Sequence, residues 1–153
     1  MMDAELCLDA NIFVSAMVPT EQHYSESSEL IELIRRKDLV LREPPNLQAE
    51  FISVIHRKTQ NQEIPENRKN NLFDLFFDLP ILIQWRSKVL KDSSDIAKDL
   101  NYKLIYDCLY LAVAARYDIP LITHDQELRK RGRSFFRKIY TVSEYLKDSK
   151  EVV

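Results

Sequence analysis

Glu5-Leu6-Cys7-Leu8-Asp9-Ala10-Asn11-Ile12-Phe13 sets a short apolar segment before an acid, with a second apolar stretch behind it. Glu5 to Leu8 reads as a first strand, and Asp9 stands where a following helix would take its cap. The same order returns at Pro120-Leu121-Ile122-Thr123-His124-Asp125, a fourth strand that runs into a helix from Gln126 to Arg131. Between them the pattern alternates. Ser25 to Arg36 is helical, with Leu30, Ile31, Leu33 and Ile34 at helical spacing, and Leu39 to Leu41 is a second strand. Asn46 to Lys58 is a helix behind the Pro44-Pro45 break, and a further helix opens at Pro65 and stops at Pro80. Ile81 to Trp85 reads as a third strand, Asp95 to Leu100 and Ile105 to Tyr117 as helices, and Ile139 to Val142 as a fifth strand. The Ile105–Tyr117 segment is apolar nearly all round, so it should be buried. Strands alternating with helices predict an α/β fold, a three-layer α/β/α sandwich around a mostly parallel sheet of four to five strands.

Composition narrows the class. The 153 residues are 45% apolar and 30% charged, which fits one domain over residues 1–153 with a sizeable core. Net charge is −2, against strong and purely electrostatic nucleic-acid binding, although a local basic patch stays open. The longest apolar run, Leu109 to Ala115, is far short of a bilayer span, so no membrane partner is expected. Met1-Met2-Asp3-Ala4-Glu5 lacks the basic start of a signal peptide. Cys7 and Cys108 stand alone in apolar contexts and fit buried thiols of a cytoplasmic protein. A single glycine, Gly132, cannot build the Gly-rich phosphate loops of Rossmann or P-loop proteins.

In a parallel sheet the ligand site lies beyond the carboxyl ends of the strands, where Asp9 and Asp125 both fall. Each acid has a plainer reading. Asp9 and Asp125 can cap helices, and Asp107 in the first turn of its helix meets the positive end of the dipole. Glu50 borders the apolar face made by Leu47, Phe51 and Val54, so it needs a partner charge, a hydrogen bond, a metal or a path to water. Taken together, the four would be hard oxygen ligands suited to Mg²⁺ or Mn²⁺, which can activate water for attack on a phosphodiester.

Four segments carry a family resemblance: Leu8-Asp9-Ala10-Asn11-Ile12-Phe13, Ala49-Glu50-Phe51-Ile52-Ser53-Val54-Ile55, Tyr106-Asp107-Cys108-Leu109-Tyr110-Leu111-Ala112 and Leu121-Ile122-Thr123-His124-Asp125-Gln126-Glu127-Leu128. In order, and at intervals of 41, 57 and 18 residues, they resemble the acidic motifs of PIN domains. The size resembles the stand-alone VapC-type toxins of prokaryotic toxin–antitoxin pairs. That resemblance implies a metal-dependent endoribonuclease using Mg²⁺ or Mn²⁺, usually a homodimer, held inactive by a small antitoxin protein. It implies that Asp9, Glu50, Asp107 and Asp125 are the catalytic metal ligands or their water-bridged supports. Asn11 and Thr123 would orient those carboxylates, or serve as a turn Asn and a strand-end Thr.

Other readings stay beside this one. A PIN protein could act on DNA, or bind RNA or a protein without cleavage. A haloacid dehalogenase-like phosphatase also places an Asp after strand one, but it wants a second Asp where Asn11 stands, and a receiver domain wants adjacent acids there. Arg129, Lys130, Arg131, Arg133, Arg137 and Lys138 put six cations in ten residues around Phe135 and Phe136. This run reads first as a solvated loop over core phenylalanines and second as an RNA contact. Of the three histidines, His124 beside Asp125 is the one placed to touch substrate.

Overall fold

The computed structural model describes residues 4–151, so the Met1–Asp3 part of the targeting expectation lies outside it. The strands are β1 (Glu5–Leu8), β2 (Val40–Glu43), β3 (Ile81–Ile83), β4 (Leu121–Ile122) and β5 (Ile139–Tyr140). The helices are α1 (Ala10–Met17), α2 (Tyr24–Arg36), α3 (Leu47–Gln60), α4 (Glu66–Phe77), α5 (Ser87–Asp99), α6 (Tyr106–Tyr117), α7 (Gln126–Gly132) and α8 (Val142–Glu151). The five strands pair in parallel in the order β3-β2-β1-β4-β5. The order reverses between β1 and β4, which opens a crevice beyond their carboxyl ends.

Helices sandwich this sheet as the alternating pattern predicts. α6 packs on β1 and β2 with α5 against it, and its residues Cys108 to Ala114 are buried in an unbroken run. α1 lies with α2 and α3 in the other helical layer. No helix among the described residues is long and apolar enough to cross a membrane. Cys7 and Cys108 are free and buried.

Two segments differ from the sequence reading. α5 begins at Ser87 rather than Asp95, because its buried stripe of Val89, Ser93, Ile96 and Ala97 is interrupted by a serine that hides the apolar period. Val142 opens α8 instead of closing β5, and Val142, Tyr145 and Leu146 turn inward at helical spacing.

With one glycine in the chain, helices must end without it. Asp38, Gln62, Asn101 and Asp118 take positive φ just past α2, α3, α5 and α6. The next amide closes each exit, as in Glu63 N to Lys58 O at 2.8 Å and Ile119 N to Ala114 O at 3.0 Å. A glutamine in this region is strained where glycine is not. Gln62→Gly is expected to raise stability by about 0.5–1 kcal/mol, read as a higher urea midpoint. An unchanged or lower midpoint would mean that the Gln62 side chain offsets its own strain.

Candidate active site

Asp9 follows β1 and sits at the N-cap position of α1, yet its carboxylate makes no capping bond. It points across the crevice instead. Thr123 Oγ1 donates to Asp9 Oδ2 at 2.7 Å, and Asn11 Nδ2 donates to the same oxygen at 3.3 Å. Both side-chain bonds fall on Oδ2, and the Asn11 backbone amide also favours the ionised carboxylate. Asp9 is only 6% exposed. Burial pushes its carboxyl up to about 7, against the pull of the Thr123 bond, and Asp107 and Glu50 push the same way.

Thr123 is fully buried and also accepts from the Asp125 amide at 3.0 Å. His124 N donates to Asn11 Oδ1 at 3.3 Å. Asn11 and Thr123 thus tie the end of β1 to the end of β4, and Asn11 supplies a donor where a haloacid dehalogenase-like enzyme would carry a second Asp.

Glu50 projects from the first turn of α3. Asn46 Nδ2 donates to Oε1 at 2.5 Å and Tyr110 Oη to Oε2 at 2.9 Å. Burial raises its pKa, the Asn46 and Tyr110 bonds oppose that, and Asp107 adds to it. Asp107 lies half-buried in the first turn of α6, raised by burial and then by Asp125. Asp125 does cap its helix, accepting from Leu128 N at 3.0 Å through Oδ1. Asp107 thus raises the pKa of both Asp9 and Glu50, Asp125 raises that of Asp107, and none of the four forms an ion pair among the described residues.

The residues present suit a hard cation. The oxygens lack positive partners, and Asn46 Oδ1 beside Glu50 is buried without a hydrogen bond. Among the described residues, no three His, Cys, Asp or Glu side chains stand close enough to hold one ion by themselves. That spacing fits an ion gripped by one or two carboxylates and water, the usual habit of Mg²⁺.

Glu43, which the sequence reading passed over, is fully buried at the end of β2. Its Oε1 accepts from Leu8 N at 2.7 Å, in place of a strand carbonyl, and the Cys7 thiol lies 3.7 Å from Oε2. Burial holds its pKa well above the ordinary carboxylate value, and Asp9 adds to the effect. Its signal was the alternation that puts Leu41 and Glu43 on one side of β2. Tyr110 and Asn46, which aim Glu50, were also missed, since a buried Tyr reads simply as core.

Asp9, Asn11, Asn46 and Glu50 line a cleft of about 930 Å³. Asp107 faces a smaller hollow with Tyr102 and Lys103, and Tyr106 borders both. The basic run is mostly engaged in structure. Arg129 donates to the Thr123 carbonyl at 2.9 Å, and Arg133 to the Ile139 carbonyl at 3.0 Å. Arg131 pairs with Glu127 at 2.7 Å and lies over Tyr102, and Lys138 pairs with Asp118 at 3.2 Å. Phe136 is packed against the core while Phe135 is 45% exposed.

Carboxylates without ion-pair partners thus lie beyond the carboxyl ends of a parallel sheet, where α/β folds of this kind place their ligand sites. The PIN domain family model matches residues 6–134, and the chain belongs to the PIN domain family, whose members are generally nucleases. Among solved structures, PAE2754 from Pyrobaculum aerophilum is similar at 15% identity and TM-score 0.69, over 94% of this chain and 93% of that one. VapBC2 from Rickettsia felis, bound to a DNA fragment from its promoter, is similar at 18% identity and TM-score 0.64, over 90% and 98%. FitAcB from Neisseria gonorrhoeae is similar at 14% identity and TM-score 0.58, over 90% and 98%. These likenesses concern the fold. No curated protein matches the chain.

Proposed function

We propose that this chain is a Mg²⁺- or Mn²⁺-dependent endoribonuclease, with Asp9, Glu50, Asp107 and Asp125 as its catalytic carboxylates. The observation that supports the reading is that Asp9 and Glu50 share one cleft, Asp107 lines a hollow that Tyr106 joins to it, and none of the four acids has an ion-pair partner among the described residues. A bound divalent ion would supply an activated water and a counter-charge for the phosphate. The chain's own part is to fix the oxygens: the Thr123 and Asn11 side chains hold Asp9 through Oδ2, and Asn46 and Tyr110 hold Glu50 at both oxygens. Asp107 would hold an ion on the far side, and Asp125, with one oxygen used as a cap, would act through water. Of the cations Arg129, Lys130, Arg131 and Arg133, Lys130 has no partner among the described residues, so it is the position that best meets an RNA phosphate.

The purified protein is expected to cut single-stranded RNA with Mn²⁺ or Mg²⁺ and to stop in excess chelator. Activity that persists in chelator and in Asp9→Asn would belong to a contaminant, and the reading would fall.

We further propose that the protein is the toxin of a type II toxin–antitoxin pair in the cytoplasm. Family membership and the VapBC2 and FitAcB likenesses support this. Its partner would be a small antitoxin, and the toxin itself would be a homodimer. The apolar edge beside β3, where Phe77, Leu82 and Trp85 are exposed, supports a contact surface there. Sedimentation of the chain alone and with the product of the adjacent reading frame tests both associations.

A further inference from the structure

The cleft that starts at Asp9 extends past two stacked imidazoles. His23 lies over His124 with ring centroids 4.3 Å apart and planes 19° from parallel. Both rings are fixed from behind. His124 Nε2 is 2.8 Å from Ser15 Oγ and 3.2 Å from Ser27 Oγ. His23 Nδ1 is 2.6 Å from Glu26 Oε1, and Ser143 of α8 hydrogen-bonds the other oxygen of that carboxylate. Three helices thus hold the pair in place. His23 keeps 41% of its side chain exposed, and both rings line the cleft with Asp9 and Glu50.

The facing wall is α3. Asn46, Glu50, Ser53, Val54 and Arg57 lie along one side of that helix and line the same cleft. Arg57 stands seven residues beyond Glu50, about 10 Å along the helix axis. It is exposed and makes no ion pair among the described residues. The neighbouring Lys58 is paired with Glu21 at 2.7 Å, so the acid on this rim is neutralised.

A planar, anchored aromatic surface opposite an unpaired guanidinium fits one kind of ligand well: an unstacked base with its phosphate. We propose that His23, backed by His124, is a stacking subsite for one base of a single-stranded RNA, and that Arg57 takes the adjoining phosphate. The assignment rests on the ribonuclease reading and deepens it, because a rigid stacking surface selects single strands over duplexes. A duplex keeps its bases stacked on one another and has none to offer.

The test uses the full chain carrying Glu50→Gln, so that RNA stays whole, with Mn²⁺ present and labelled oligonucleotides followed by fluorescence anisotropy. Adding His23→Ala should raise the Kd for single-stranded RNA about 5- to 30-fold. Adding His23→Tyr instead should restore it, since a ring of another chemistry still stacks. Arg57→Ala should weaken binding and reduce the salt slope by about 0.7, the value for one phosphate of a single strand. Single-stranded DNA should lose the same factor on His23→Ala, because stacking ignores the sugar, and the absolute Kd values separate the two nucleic acids. Unchanged RNA binding in His23→Ala, or a His23→Tyr variant as weak as His23→Ala, would overturn the subsite while leaving the nuclease reading in place. Preferential binding of duplex RNA would do the same. A Glu50→Gln protein that binds no nucleic acid, with a parent that cuts none, would overturn both.

Discussion

Asp9→Asn is expected to cut cleavage steeply and yet to make the metal-free protein more stable at pH 8. The two side-chain hydrogen bonds to Asp9 go to a single oxygen, Oδ2, and an amide carbonyl can accept both. The amide nitrogen would then point where Oδ1 now faces the cleft, and a donor there cannot ligate a cation. Activity should fall on the order of 10²–10³-fold. The stability change follows from the raised carboxyl pKa. Between the usual 3.8 and about 7 the folded protein keeps a proton that the unfolded chain has lost. Stability contributed by the protonated form is therefore present at about pH 4 and is lost as pH rises to 7. The gap corresponds to about 4 kcal/mol at its limit, and removing the charge should recover about 2–4 kcal/mol at pH 8. That is roughly 5–15 °C in melting temperature for a chain of this length. Near pH 4 the advantage should vanish. With Mn²⁺ the order should narrow or reverse, because only the parent gains binding energy on folding. Paired melts at pH 4 and pH 8, with chelator and with Mn²⁺, read all of this. An Asp9→Asn protein that melts lower than the parent in chelator at both pH values would make Asp9 a structural acid, and the site would have to lie elsewhere.

Glu43→Ala is expected to be among the most destabilising single changes, on the order of 3–5 kcal/mol. Glu43 is fully buried, so truncation leaves a cavity. It also strips Leu8 N of its 2.7 Å acceptor one residue before Asp9, at the point where β1 and β2 no longer supply one. Glu43→Gln should be nearly neutral, since burial already favours the uncharged carboxyl and the amide oxygen can still accept from Leu8 N. Urea midpoints of the three proteins decide the matter. A Gln variant as unstable as the Ala variant would mean that the carboxyl itself, not the acceptor it presents, supports the end of β1. The Gln variant should also cut RNA at close to the parent rate, whereas a displaced Leu8 would carry Asp9 with it.

The segments that periodicity defines were legible before any coordinates. Leu47, Phe51 and Ile55 turn inward from α3 as their spacing requires, and Cys108 to Ala114 are buried as their composition requires. The alternation of such segments fixes a parallel sheet, and a parallel sheet puts its ligands at the carboxyl ends of its strands, which is why Asp9 and Asp125 could be singled out. Where a stripe contains a serine, as in α5, or is short, as in α8, the local signal was too weak.

Asp9 and Asp125 mark the boundary. Both follow a strand and precede a helix, so their local sequences predict the same capping role. Asp125 takes it, donated to by Leu128 only three residues away. Asp9 does not, because the Thr123 hydroxyl, 114 positions distant in the chain, reaches it at 2.7 Å across the crevice between β1 and β4. The same holds for Glu43, whose acceptor role exists only because β1 and β2 part beside Leu8, and for His23 on His124, brought together from 101 positions apart. By itself the sequence determined most of the strands and helices, α5 and α8 excepted, and which acids stand at their ends, since those follow from short-range spacing. Which carboxylate caps a helix and which stays open to a ligand was decided by the tertiary structure alone, because that depends on the nearest donor in space.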